Sequence, residues 1–322
     1  MVKKNFIFLC KAVCVLAIFI GVQHLIERKT HGFYLQRILS EDLFIQPDWD
    51  IAALNQEEER VIKELLDQPF TFLGSGSECF AFLSQDEKTV IKFFKLDYFR
   101  PIYFLRGLFS ENHRENAGTL SSIYTQLSPF CFGMDSLVKR VVGMREFRIG
   151  RTFKSLKLSY DHLKEETGLI YLHLNPTSLF HKKLTLYDPN GIAQEIDLDS
   201  TRFYIQKRAT PLEKHLLALK ENHEQKRAEQ CLASLCNLIV QRCRKGFADR
   251  DPYNKNFGFI EDRAIEIDTG SFIPYLRMQE PRFYKQELLF IALGIKQWAK
   301  SHYPELLSPI DSLLAEEIGQ GT

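Results

Sequence analysis

Hydrophobic and polar positions follow three different rhythms along the chain. Residues 5–26 are almost continuously apolar, interrupted by Lys11, Gln23 and His24. As a helix this stretch is about 33 Å long, enough for a bilayer core of roughly 30 Å. A cleaved secretory signal is the competing reading, but Val22-Gln23-His24-Leu25-Ile26 offers no small-x-small cleavage pattern. Lys3, Lys4 and Lys11 on one flank face Arg28 and Lys29 on the other, so flanking charge barely sets an orientation. The pattern predicts a membrane anchor or signal segment over 1–29.

Residues 30–69 are mixed and read as a linker ending in a short amphipathic helix, Glu57 to Asp67, with Val61, Leu65 and Leu66 on one side. From Phe70 the rhythm shortens to β-type runs, Phe70 to Leu73, Cys79 to Leu83 and Thr89 to Phe94. Gly74-Ser75-Gly76 and Gln85-Asp86-Glu87-Lys88 separate them as turns, which predicts a three-stranded antiparallel meander.

The helical rhythm follows. Phe153, Leu156, Tyr160 and Leu163 repeat at three- and four-residue spacing, predicting a helix from about Met144 to Glu166 that Gly168 stops. Leu169 to Leu174, Lys183 to Tyr187 and Arg202 to Lys207 read as strands. Leu212 to Glu221, Glu224 to Lys245, Pro281 to Ser301 and Pro304 to Gly319 read as helices.

Composition narrows the class. The 322 residues are 45% hydrophobic and 26% charged, which excludes wholesale disorder and a polytopic membrane protein. Lys plus Arg minus Asp plus Glu is 42 − 41 = +1, so no nucleic-acid partner is indicated. The 7 cysteines contain no C-x-x-C pair, and Cys231, Cys236 and Cys243 read as core filling. Charge is local: Lys139, Arg140, Arg145, Arg148, Arg151, Lys154 and Lys157 cluster around Glu146, either as a solvated face or as an attraction for anionic lipid or substrate.

Two places carry candidate chemistry. Gly74, Ser75 and Gly76 join two strands, where bare backbone N–H groups can approach a phosphate chain, and Lys92 on the third strand can reach the same phosphates. Further on, Asp249-Arg250-Asp251 opens a polar loop ending at Asn256, and the strand Ala264 to Ile267 leads to Asp268-Thr269-Gly270. A turn at Glu261-Asp262 puts Asn256 and Asp268 at the same end of an antiparallel pair. An amide oxygen and a carboxylate there suit Mg²⁺, and Asp251 is placed to take the proton of an attacking hydroxyl.

These residues, in this order, resemble the protein-kinase-like superfamily. Asp249-Arg250-Asp251 with Asn256 is similar to the H-R-D-x-x-x-x-N loop, Asp268-Thr269-Gly270 to D-F-G, Gly74 and Gly76 to the start of the glycine-rich loop, and Lys92 to its strand-three lysine. Cys79 stands at the third glycine and Asp249 at the histidine; Asp249 with Asn254 is an alternative register. The resemblance implies an α+β, bilobal protein-kinase-like fold. Its N-lobe spans 70–211 with an insert at 95–143, and a shortened helical C-lobe spans 212–322, behind an N-terminal transmembrane helix. It implies ATP and Mg²⁺ as cofactors, with Asp251 as the catalytic aspartate, Asn256 and Asp268 as metal ligands, and Lys92 on the α- and β-phosphates. Glu146 is the favoured ion-pair partner of Lys92, with Glu111 and Glu115 as alternatives, and the hinge falls near Arg208 to Pro211.

No A-P-E motif follows Asp268, which resembles bacterial kinase-like proteins acting on sugars, lipids or lipopolysaccharide cores. The expected protein is a membrane-anchored phosphotransferase with a cytoplasmic catalytic domain and a hydroxyl-bearing small-molecule or lipid-linked substrate. The alternative is a pseudokinase scaffold.

Overall fold

The computed structural model describes residues 21, 25, 27–39, 45–96 and 147–319. All but two residues of the apolar stretch, most of the insert, and Glu111, Glu115 and Glu146 lie outside the described residues. Among the described residues no helix is long and apolar enough to cross a membrane.

Helix α1 (Gln56–Leu65) begins where the Asn55 side chain accepts the Glu58 N–H and the Glu58 carboxylate accepts the Asn55 N–H, each at 2.9 Å. This reciprocal capping box fixes the first turn. The buried edge is Ile62 with Leu66, whereas Val61, expected on that edge, is 44% exposed. One residue is about 100° of helix rotation, so taking Val61 for Ile62 misplaces the stripe.

Strands β1 (Phe70–Ser75), β2 (Cys79–Ser84) and β3 (Thr89–Phe94) form the expected antiparallel meander. Residues 147–162 form helix α2, which is broken at Leu163 (φ −127°, ψ 27°) before the short α3 (Lys164–Thr167). Gly168 ends α3 at φ +66°, the left-handed stop that glycine adopts without strain. The helix expected in one piece is therefore two, but its predicted face, Phe153, Leu156, Tyr160 and Leu163, is buried.

Next come β4 (Leu169–His173), β5 (Lys183–Tyr187), β6 (Ala193–Asp197) and β7 (Phe203–Lys207). Strand β6 has no clear hydrophobic signal: only Ile196 is buried, and pairing with β5 defines it. The chain then forms β8 (Thr210–Pro211), α4 (Leu212–Glu221), α5 (Gln225–Arg244), β9 (Phe247–Asp249), β10 (Phe257–Ile260), β11 (Arg263–Glu266), β12 (Phe272–Pro274), α6 (Pro281–His302) and α7 (Leu307–Gly319). The architecture is mixed α+β.

Two compact units divide these elements. One takes the described parts of Met1–Ile45, Ala53–Tyr103 and Asn175–Phe203. Its strands run in the order β3-β2-β1-β5-β6, with β1 parallel to β5. Phe80 and Phe82 on β2 are fully buried, and Phe33 meets each of them edge-on at 5.2 Å. Phe33 and the buried Ile38 belong to the stretch expected as a linker, so that stretch supplies part of the core. Burial of side chains this large stabilises by roughly 1.5–3 kcal/mol each.

The other unit comprises Gln46–Ala52, the described part of Phe104–Leu174, and Tyr204–Thr322. Helix α2 and β4 thus group with the helical elements. Its core draws Leu216 from α4, Leu235 and Ile239 from α5, Leu288 and Ile291 from α6, and Ile310 from α7. A three-stranded sheet, β11-β10-β8, and the pair β12-β9 lie in this unit. Trp49, also expected in the linker, is 1% exposed and meets Phe153 edge-on at 4.8 Å.

Candidate functional site

The hairpin β10–β11 sets the geometry of the second candidate cluster. Phe257 pairs with Glu266, and the Ile267 N–H donates to the Asn256 carbonyl at 2.7 Å. Asn256 therefore sits opposite the residues leading into Asp268. Asn256 is 3% exposed, and its amide nitrogen donates to the Asp251 carbonyl at 2.5 Å and to Asp251 Oδ2 at 3.2 Å. With both contacts on the nitrogen side, the orientation of the amide is fixed. Its oxygen accepts no hydrogen bond among the described residues. The Asp268 carboxylate is exposed and accepts the Gly270 N–H at 3.2 Å.

The alternative register has a different role. Asn254 lies against α6 at Gly294, where an added Cβ would stand 2.9 Å from Asn254 Oδ1. Asp249 is 7% exposed, and its Oδ1 accepts the Asp251 N–H at 2.9 Å and the Ser271 hydroxyl. Burial raises the Asp249 pKa, as does nearby Asp268, while Ser271, the Asp251 amide and Arg242 pull it down. Asp249 therefore braces the loop from below.

Beneath it lies a buried charge cluster that sequence reasoning missed. Arg242, at the end of α5, is fully buried; its Nε is 2.7 Å from Glu266 Oε1 and its Nη2 pairs with Glu287 Oε1. Burial opposes the charge of Arg242, but Glu266 and Glu287 outweigh it and hold the guanidinium protonated. Burial pushes the Glu266 carboxyl up to about 8 and raises Glu287 as well, with Arg242 pulling both the other way. The two sides differ because one guanidinium serves three carboxylates, Asp249 included. A proton held within the carboxylates relieves their repulsion. The sequence signal was a charge inside an apolar run: Arg242 three residues after Ile239, and Glu266 between Ile265 and Ile267.

Ser155 on α2 was missed as well. Its hydroxyl donates to the Thr269 carbonyl and accepts the Phe272 N–H, both at 2.7 Å. The segment Asp268-Thr269-Gly270 is thereby tied to α2.

The first candidate cluster lies in the other unit. Lys92 is half-buried on β3, in register with Ala81. Strand β1 runs on through Ser75, and the Gly76 N–H donates to the Cys79 carbonyl at 2.9 Å. Neither Gly74 nor Gly76 has positive φ, and an added Cβ would meet nothing within 4 Å at Gly74 and only the Cys79 carbonyl, at 3.8 Å, at Gly76. Lys95 Nζ donates to Ser75 Oγ at 2.8 Å and to the Gly76 carbonyl, 4.6 Å above the Phe80 ring. Arg148, Arg151 and Lys154 of the basic flank are exposed on α2, and Lys157 pairs with Asp161 at 2.5 Å.

No protein-family model and no curated protein matches the chain. Among solved structures, the streptomycin–ATP–APH(2")-IIa ternary complex matches at 13% identity and a TM-score of 0.24, over 84% of this chain and 98% of that one. Likeness at this level is no argument about fold or chemistry.

Proposed function

We propose that the protein is an ATP-dependent, kinase-like phosphotransferase acting on a hydroxyl of a sugar, a lipid or another envelope-associated small molecule. The observation that carries this reading is the Asn256 amide, held by Asp251 so that its oxygen is left over beside the strand leading to Asp268. These are hard oxygen donors of the kind Mg²⁺ takes while keeping waters and nucleotide phosphates in its other positions. Asn256 and Asp268 hold the ion, which when bound neutralises charge on the transferring phosphoryl. Asp251 receives the proton of the attacking hydroxyl. Lys92 and the backbone at Gly74, Ser75 and Gly76 bind the nucleotide phosphates, with Glu146 as partner of Lys92. The stretch 5–26 anchors the protein to a membrane, with its catalytic part in the cytoplasm, and reporter fusions on either side of that stretch test this.

A second reading, a pseudokinase scaffold, draws support from the Gly76 amide being spent on the Cys79 carbonyl. Mg-ATP should raise the melting temperature of the full chain, and Asp268→Ala should remove the rise. Phosphotransfer by wild type that falls about 10²–10⁴-fold in Asp251→Asn supports the enzyme. A Mg-ATP shift without turnover selects the scaffold, and no shift at all sinks the enzyme and leaves only a scaffold that binds no nucleotide.

A further inference from the structure

Three side chains with three different ligating chemistries meet in the helical unit, on elements remote in sequence. They are His215 on α4, Cys231 on α5 and Asp262 in the β10–β11 turn, and their ligand atoms all lie within 4.8 Å of one another. His215 Nε2 is 3.3 Å from Asp262 Oδ1, and Cys231 Sγ is 3.7 Å from the same oxygen. We propose that His215, Cys231 and Asp262 form a zinc site with its fourth position left to water. The inference does not rest on the phosphotransferase reading.

The distances suit the metal. Tetrahedral zinc with Zn–N and Zn–O near 2.1 Å and Zn–S near 2.3 Å requires an N–O edge of about 3.4 Å and an S–O edge of about 3.6 Å. The two observed separations, 3.3 Å and 3.7 Å, already have these lengths. The nitrogen–sulfur edge, which lies within 4.8 Å, needs to be about 3.6 Å in the complex. An imidazole, a thiolate and a carboxylate are ordinary zinc donors, and the sulfur disfavours Mg²⁺ or Ca²⁺.

The surroundings suit it too. The His215 ring stacks on Phe259 with centroids 4.9 Å apart, which limits its rotation. Arg227 Nε bonds Asp262 Oδ2 at 3.1 Å, the oxygen a monodentate ligand leaves over, while its Nη1 pairs with Glu224. Arg227 Nη2, now 3.0 Å from Oδ1, gives up that contact when the metal arrives. A charged donor on the outer oxygen of a ligating carboxylate is a usual second partner in metal sites. Asp262 is exposed enough to admit the ion, its side chain being 37% accessible.

Binding forms bonds from zinc to His215 Nε2, Cys231 Sγ and Asp262 Oδ1; the Cys231 S–H proton leaves to solvent, and the neutral imidazole carries its single N–H on Nδ1 in place of the Nε2 that faces Asp262 in the free site. Zinc affinity therefore rises with pH. Metal would clamp α4 and α5 to the turn of the hairpin whose other end carries Asn256.

The test uses the full chain stripped of metal with a chelator, then titrated with cobalt(II) as a spectroscopic stand-in. One equivalent should produce a thiolate-to-cobalt charge-transfer band with tetrahedral d–d absorption, and zinc should erase both. Cys231→Ala should remove the charge-transfer band. Asp262→Asn lies on an exposed turn and serves if the buried cysteine variant fails to fold; its zinc affinity, by competition with a chromophoric chelator, should fall at least about tenfold. No charge-transfer band at one equivalent, a band unchanged in folded Cys231→Ala, or unaltered zinc affinity in folded Asp262→Asn would each overturn the site.

Discussion

The aspartate–asparagine cluster and the glycine turn are built on opposite principles. Around Asp251 and Asn256 a set of internal hydrogen bonds fixes the backbone: Asp249 holds Ser271 and the Asp251 amide, Asn256 holds Asp251, and Ser155 holds Thr269 and Phe272. Gly74 is half-buried and paired with Ala81, yet an added Cβ there would meet nothing within 4 Å. The first region is preorganised by burial and is tightly coupled to stability. The second leaves room for side chains at its glycines, so substitution there reports on a ligand with little cost to the fold. Substitutions should separate these two behaviours.

The largest effect is expected at Arg242. Arg242→Met leaves Glu266 and Glu287 buried without their cation, and removing one partner of such a group typically costs about 3–5 kcal/mol. Urea unfolding at pH 7 measures it. A loss below about 1 kcal/mol would show that the guanidinium does not organise this core.

The same cluster should print itself on the pH dependence. The folded carboxyl of Glu266 is pushed up to about 8 from an ordinary 4.5, so the folded chain holds a proton the unfolded chain has released. Stability from this group is complete below about pH 4.5 and is lost as pH rises towards about 8, with a slope of at most about 1.4 kcal/mol per pH unit. Asp86, Asp199 and Asp262 have lowered values, so their contributions are lost in acid, below that window. Glu266→Gln should flatten the profile between pH 5 and pH 8; an unchanged slope would place the proton elsewhere.

Ser155→Ala follows in size. It leaves the Phe272 N–H and the Thr269 carbonyl without their buried partner, at a cost of about 1–3 kcal/mol. Chemical denaturation measures the loss, and a neutral result would mean that water replaces the hydroxyl.

The sequence made some of this legible and hid the rest for definable reasons. Hydrophobic spacing placed β1 to β3, α4, α5 and α6 within a residue or two because each buries a continuous face. It missed β6, whose five residues bury only Ile196, because pairing with β5 rather than burial defines that strand. It misread the linker because Phe33, Ile38 and Trp49 belong to no sustained helical or strand rhythm and find their pockets only in three dimensions. At the cluster, Asp251 and Asn256 were legible because they sit on a short polar loop, and Asp268 because it follows the strand paired with that loop's end. Arg242 sits under the loop from the end of α5, while Glu287 and Ser155 reach this region from helices distant in sequence. His215, Cys231 and Asp262 show the same limit: no short spacing motif joins residues from two helices and a turn.

The smallest stability effect is expected where the turn is open. Gly74→Ala adds a methyl group that meets no atom within 4 Å, at a residue without positive φ, so its cost should stay within about 0.5 kcal/mol. The same exchange at Gly258 would put a Cβ 2.8 Å from the Thr210 carbonyl oxygen, a backbone atom that cannot step aside, and should cost about 1–3 kcal/mol. Thermal melts of the two variants side by side test the contrast. If Gly74→Ala keeps its melting temperature yet loses the Mg-ATP shift, the glycine is required by a phosphate approaching the bare backbone. If it keeps both, the turn is only a turn, and nucleotide contacts must be sought elsewhere in the chain.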